Sequence, residues 1–149
     1  MLIGIGSDHA GYSAKEYIKK ILDESNIKYI DFGTNSEERV DYPDYGEKVA
    51  LAVKNKKVDR GILVCGSGIG MSMVANRIPG IRGTLAYDKY SAEMSRKHND
   101  SNVLIVGGRT TKPEVIKEMV DVWIKTEFEG GRHQVRLDKI KEMEKRYMK

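Results

Sequence analysis

At 149 residues, 40% of them apolar and 32% charged, the chain is one domain's worth of soluble protein, large enough to bury a core without disulfide staples and too balanced for disorder. The net charge of +4 is unevenly placed: seven basic and three acidic residues lie in 130–149, and residues 1–129 balance to zero. A neutral body with one basic tail argues against the broad phosphate-tracking surface of a nucleic-acid binder.

A single cysteine, Cys65, excludes an intramolecular disulfide and any multi-cysteine metal site, and fits a reducing compartment. The start Met-Leu-Ile-Gly has no basic n-region, and no apolar run is long enough to cross a bilayer. The expectation is a cytoplasmic domain with neither signal peptide nor membrane partner.

Leu2 to Gly6 is a short apolar run closed by Ser7-Asp8-His9-Ala10-Gly11, a strand leaving into a polar turn. Ala14, Tyr17, Ile18, Ile21 and Leu22 then follow the spacing of an amphipathic helix. Tyr29, Ile30 and Phe32 predict a second strand, stopped at Gly33, and Pro43 opens a helix to about Lys54. Gly61 to Cys65 is apolar throughout, as a central parallel strand covered on both faces should be. It runs into Gly66-Ser67-Gly68-Ile69-Gly70, followed by a helix carrying Met71, Val74 and Ala75. Gly83 to Tyr87 reads as a fourth strand, Tyr90 to Lys97 as a helix, and Val103 to Val106 as a fifth strand. A helix is predicted over Glu114 to Phe128. Past the breaker Gly130-Gly131, Leu137, Ile140, Met143 and Tyr147 mark a last, highly charged amphipathic helix.

Strands alternating with helices predict a three-layer α/β/α, Rossmann-like domain: a five-stranded parallel sheet over 1–129, with 130–149 as a C-terminal helical arm of the same domain. Ligands of such sheets bind at the carboxyl ends of the strands, where strand order reverses. If strands one and three flank that point, Asp8-His9 and the Cys65 loop face the ligand.

The glycine loop lacks the lysine of a P-loop, and Gly66, Gly68 and Gly70 give GxGxG, only part of a dinucleotide fingerprint. A thiol between a strand end and a helix start is favoured as a base or nucleophile, unless Cys65 is simply a small buried apolar group. Met71 stands where a cysteine phosphatase needs arginine, which excludes that chemistry. Asp8 either caps the next helix or, with His9, polarises hydroxyls or holds phosphate. His98 near a helix C-terminus can be a dipole partner. Arg132 and Arg136, four apart, either converge on one phosphate or form a solvated face. Tyr42, Arg109 and His133 say little individually.

Together, DHAG at Asp8–Gly11, DYPD at Asp41–Asp44, CGSGIG at Cys65–Gly70, HND at His98–Asp100 and GGRHQVR at Gly130–Arg136 resemble the type B ribose-5-phosphate isomerases along essentially the whole chain. That family also contains galactose- and allose-6-phosphate isomerases. The resemblance implies a metal-free, cofactor-free aldose–ketose isomerisation through an enediolate. It assigns Cys65 as the base between C2 and C1. Ser67, where many relatives have threonine, would pass a proton between O1 and O2. Backbone N–H groups of Gly66, Ser67, Gly68, Ile69 and Gly70 would hold the enediolate oxygens, and His98 with Asp8 would open the furanose ring. Asn99 and Tyr42 match sugar contacts, while His9, Arg109, Arg132 and Arg136 match phosphate contacts. The remaining alternatives are a six-carbon phosphosugar substrate and a non-catalytic phosphosugar- or nucleotide-binding module.

Cys65, Ser67, Asp8 and His9 follow strands, whereas His98, Asn99, Arg132 and Arg136 follow helices and so return to the opposite edge. The prediction is a symmetric homodimer, extendable to a dimer of dimers, in which the second set reaches the neighbour's Cys65 loop and the last helix holds the partner.

Overall fold

In chain order the elements are β1 (Leu2–Ser7), α1 (Tyr12–Glu24), β2 (Lys28–Asp31), α2 (Tyr42–Lys54), β3 (Arg60–Cys65) and α3 (Ile69–Ala75). They continue as β4 (Gly83–Leu85), α4 (Lys89–Asn99), β5 (Val103–Gly107), α5 (Pro113–Lys125) and α6 (Arg132–Tyr147). The structure is a computed structural model and describes residues 1–148; Lys149, the last residue of the predicted arm, lies outside the described residues.

All five strands pair in parallel in the order β2-β1-β3-β5-β4. Strand alternation divides the core in two. Ile3, Ile5, Ile62, Val64, Leu104 and Val106 face one side, against α1, α4 and α5 through Ile18, Leu22, Ala92, Ile116, Met119 and Trp123. Leu63, Cys65, Val103 and Ile105 face the other, against Val49, Ala50 and Val53 of α2 and Met71 and Ala75 of α3. The predicted three-layer α/β/α class is therefore the observed one. None of the helices described is long and apolar enough to cross a membrane.

Several boundaries differ from the sequence reading; α4, for one, runs on to Asn99 rather than Lys97. β4 stops at Leu85 rather than Tyr87, because the Tyr87 and Asp88 N–H groups turn to Ser91 Oγ (3.1 and 3.2 Å) in the capping box that opens α4. α5 stops at Lys125 rather than Phe128, because Thr126 is extended and its carbonyl accepts from Arg96 Nε at 3.1 Å. α3 begins at Ile69, so the last two residues of CGSGIG are already helical.

One ion pair shapes the carboxyl edge. Lys15 is fully buried, and its Nζ lies 2.7 Å from both carboxylate oxygens of Asp31. Asp31 Oδ1 also accepts the Gly33 N–H (2.8 Å); the Gly33 carbonyl accepts from Ser7 N, and Thr34 N donates to the Ser7 carbonyl. The pair thus pins the loop beside the end of β1. Burial alone would raise the Asp31 pKa, but hydrogen bonds from Lys15, Gly33 and Lys19 outweigh it and hold the carboxyl below its ordinary value. The pair's contribution is therefore complete above the normal carboxylate range and is lost as pH falls below it. Asp31→Asn leaves the buried Lys15 ammonium with only its longer contact to Glu16, at 3.6 Å, and should cost up to about 3–5 kcal/mol in urea unfolding at pH 7. That difference should shrink as the two proteins are compared at progressively more acidic pH.

Candidate active site

The chain leaves β1 toward β2 on one side and β3 toward β5 and β4 on the other, so strand order reverses between β1 and β3. A crevice opens at the carboxyl ends of such a strand pair. Cys65 closes β3 there, buried, with 5% of its surface exposed, and the exposed Ser67 follows two residues later. Ser67 Oγ accepts the Ile69 N–H at 3.2 Å. Gly68 has φ +80, the left-handed conformation that only glycine adopts without penalty. At Gly70 a Cβ would lie 2.6 Å from the Tyr42 ring, so this glycine lets Tyr42 lie directly on the loop.

The loop is fastened from behind. The Gly108 N–H donates to the Cys65 carbonyl (2.8 Å) and the Arg109 N–H to the Gly66 carbonyl (2.9 Å). The Arg109 side chain then passes Gly66 and, with His9, Ser13 and Glu37, lines a cavity of about 340 Å³. His9 Nδ1 lies 3.2 Å from both the backbone nitrogen and the carbonyl oxygen of Val40, accepting from the one or donating to the other according to its tautomer. Asp8 is buried, and its Oδ1 accepts the Gly11 N–H at 2.9 Å, one residue before α1 begins. Its turn-capping role is thus present in the same residue that the family resemblance places in the site.

One edge therefore gathers Asp8, His9, Tyr42, Cys65, Gly66, Ser67, Gly68, Ile69, Gly70 and Arg109. His98, Asn99, Arg132 and Arg136 do not join them. They line a separate cavity of about 370 Å³ between the end of α4 and the first turns of α6. Sequence reasoning missed two members of this second cluster. His133 stacks on His98 with ring centroids 4.2 Å apart and planes at 16°, and Glu129 Oε1 lies 3.5 Å from His133 Nε2. Burial and the neighbouring His98 hold the His133 imidazole below its ordinary pKa. The sequence signals for His133 were its place beside Arg132 and within GGRHQVR; Glu129 gave none.

Fold and edge together define the class: a doubly wound α/β protein that brings a thiol, a hydroxyl and a glycine loop to its switch point, next to a cavity lined by His9 and Arg109. The ribose/galactose isomerase family profile matches residues 3–140. The chain is 47% identical over 144 residues to ribose-5-phosphate isomerase B of Escherichia coli K12, covering 97% of both chains. Its fold superposes on ribose-5-phosphate isomerase B of Clostridium thermocellum with a TM-score of 0.97, at 51% identity over 99% of each chain. Ribose-5-phosphate isomerase B of Mycoplasma genitalium, solved with bound ribulose-5-phosphate, gives 0.91 at 39% identity, over 97% of this chain and 96% of that one. This chain belongs to the ribose/galactose isomerase family.

Proposed function

We propose that the protein interconverts ribose 5-phosphate and ribulose 5-phosphate through an enediolate, in the cytoplasm, at a site shared by two copies of the chain. The observation that carries the reading is the carboxyl-edge cluster, in which Cys65 stands beside a hydroxyl and a row of backbone N–H groups. In the open-chain aldose, Cys65 takes the proton from C2. The freed electron pair forms the C1–C2 double bond, and charge moves to O1, where N–H groups of Gly66 to Gly70 stabilise it. Ser67 moves a proton from O2 to O1, C2 becomes the carbonyl, and Cys65 returns its proton to C1. The oxidation of C2 balances the reduction of C1 within one molecule, so no electron acceptor is needed.

The substrate's other needs fall to the second cluster. His98, with Asp8 across the interface, opens the furanose ring; Asn99 and Tyr42 hold the sugar hydroxyls. Arg132 and Arg136 meet His9 and Arg109 around the phosphate. Exposed apolar residues flank both halves: Ile69 and Met73 beside the Cys65 loop, and Val135, Ile140 and Met143 on α6 beside the two arginines. Packing one patch on the other removes both from water and brings the two half-sites together. On this reading residues 130–149 are the arm that grips the partner.

Purified protein given ribose 5-phosphate in deuterium oxide should form ribulose 5-phosphate, labelled at C1 to the extent that the proton on Cys65 exchanges with solvent before its return. Its kcat/KM should exceed that for allose 6-phosphate by about tenfold or more, the discrimination available from one extra carbon. Binding of ribose 5-phosphate without turnover would replace the isomerase by a phosphosugar-binding module.

A further inference from the structure

His98, Glu129 and His133 each offer one ligand atom, and the three atoms lie within 4.8 Å of one another. Glu129 Oε1 is 3.9 Å from His98 Nε2 and 3.5 Å from His133 Nε2. Backbone hydrogen bonds hold this grouping in place. The Glu129 N–H donates to the Lys97 carbonyl (3.1 Å), next to His98 in the last turn of α4. The His133 N–H donates to the Gly130 carbonyl (3.1 Å) at the opening of α6. Two imidazoles and one carboxylate are the donor set of a three-ligand zinc site with its fourth position open. Ligand atoms around a tetrahedral zinc ion stand about 3.3 Å apart, given bonds near 2.0 Å. The two imidazoles are stacked with planes 16° apart, so at least one ring must turn out of the stack to aim both nitrogen lone pairs at one ion.

We propose that these three residues form a zinc-class metal site whose occupation shuts off the isomerase by taking the His98 imidazole. The effect on turnover rests on the function proposed above; the metal site itself does not. Arg132 and Arg136 line the same cavity and oppose any cation. The site therefore selects an ion that bonds to imidazole nitrogen, such as Zn²⁺, against Mg²⁺, which relies on hard oxygen ligands. Metal and phosphosugar then compete for one cavity.

The test uses full-length protein stripped of metal by a chelator, with Zn²⁺ followed by titration calorimetry and by ribose 5-phosphate turnover. The expected result is one ion per chain and inhibition competitive with substrate, with no effect of Mg²⁺. Glu129→Gln, which keeps the side-chain volume, should weaken Zn²⁺ binding and raise the inhibition constant by about tenfold or more, each relative to that variant's own metal-free rate. His133→Gln should do the same, and Cys65→Ser should still bind the ion. Absence of stoichiometric binding, binding unchanged in both Glu129→Gln and His133→Gln, binding lost in Cys65→Ser, or binding without loss of turnover would each overturn the proposal. Failure of the isomerase reading shows differently, as no turnover in the metal-free protein.

Discussion

Cys65→Ala will lose turnover of ribose 5-phosphate by about 10²–10⁴-fold, the range for removing a positioned general base, while the affinity for ribulose 5-phosphate stays near that of the parent. The two effects separate because of where the sulfur sits. It terminates β3 at the crevice, and the loop beyond it is held by backbone groups: Gly108 N to the Cys65 carbonyl and Arg109 N to the Gly66 carbonyl. Neither bond involves the thiol, so the N–H cradle and Arg109 survive the substitution. The void left by one sulfur costs about 1 kcal/mol, the scale of a lost methylene. Initial rates, calorimetric binding and a melting curve on the same preparation check the claim. Turnover within about threefold of the parent would remove Cys65 from its role as base, since no general-base contribution is that small.

The second large effect concerns geometry. Cys65→Ala and His98→Asn should each be nearly inactive as homodimers, yet co-expressed as a mixture they should recover about a quarter of the parent's activity. With a two-fold axis, half of the dimers formed at random are hybrids, and each hybrid has one site carrying both lesions and one carrying neither. The ground for this is the separation of the two cavities, one lined by His9 and Arg109 and the other by His98, Asn99, Arg132 and Arg136. Differently tagged variants, purified through both tags, isolate the hybrid and should show about half of the parent's activity. If each chain built its own complete site, the mixture would show only the mean of two inactive proteins.

Much of this was legible in the sequence because the informative features are local. The run Gly61–Cys65 is apolar on both faces, and only a central parallel strand needs that. Cys65–Gly70 drew attention by its place at a strand's end and took its role from the family resemblance, while the topology of strands and helices sent His98 and Arg132 to the opposite edge from Cys65. What stayed hidden depends on partners distant in the chain. The insertion of β5 between β3 and β4 is a pairing choice that no single segment encodes. Lys15 reads as one more polar position on a helix, and only the fold shows it buried on Asp31. Glu129 and His133 straddle a glycine pair and acquire meaning only when the end of α4 arrives beside them. The misplaced ends of β4 and α5 have the same origin, since Ser91 and Arg96 claim backbone groups that local patterning would have left in the strand or helix.

The fastening of Gly66 to Arg109 also bears on substrate length. The proposed base and the nearest proposed phosphate anchor are not independent side chains reaching from separate walls. They project from two adjacent loops joined backbone to backbone, so the spacing of their two backbones is set by the sheet. In the proposed two-chain site, a sugar would be measured between a jaw in one chain and a second jaw, Arg132 and Arg136, whose position follows the docking of the arm. A longer phosphosugar would then be admitted by shifting how two chains sit together, without altering the catalytic loop. Substitutions that retune chain-length preference are expected on the packing face of α6, at Val135, Ile140 and Met143, rather than among the residues that touch the reacting carbons.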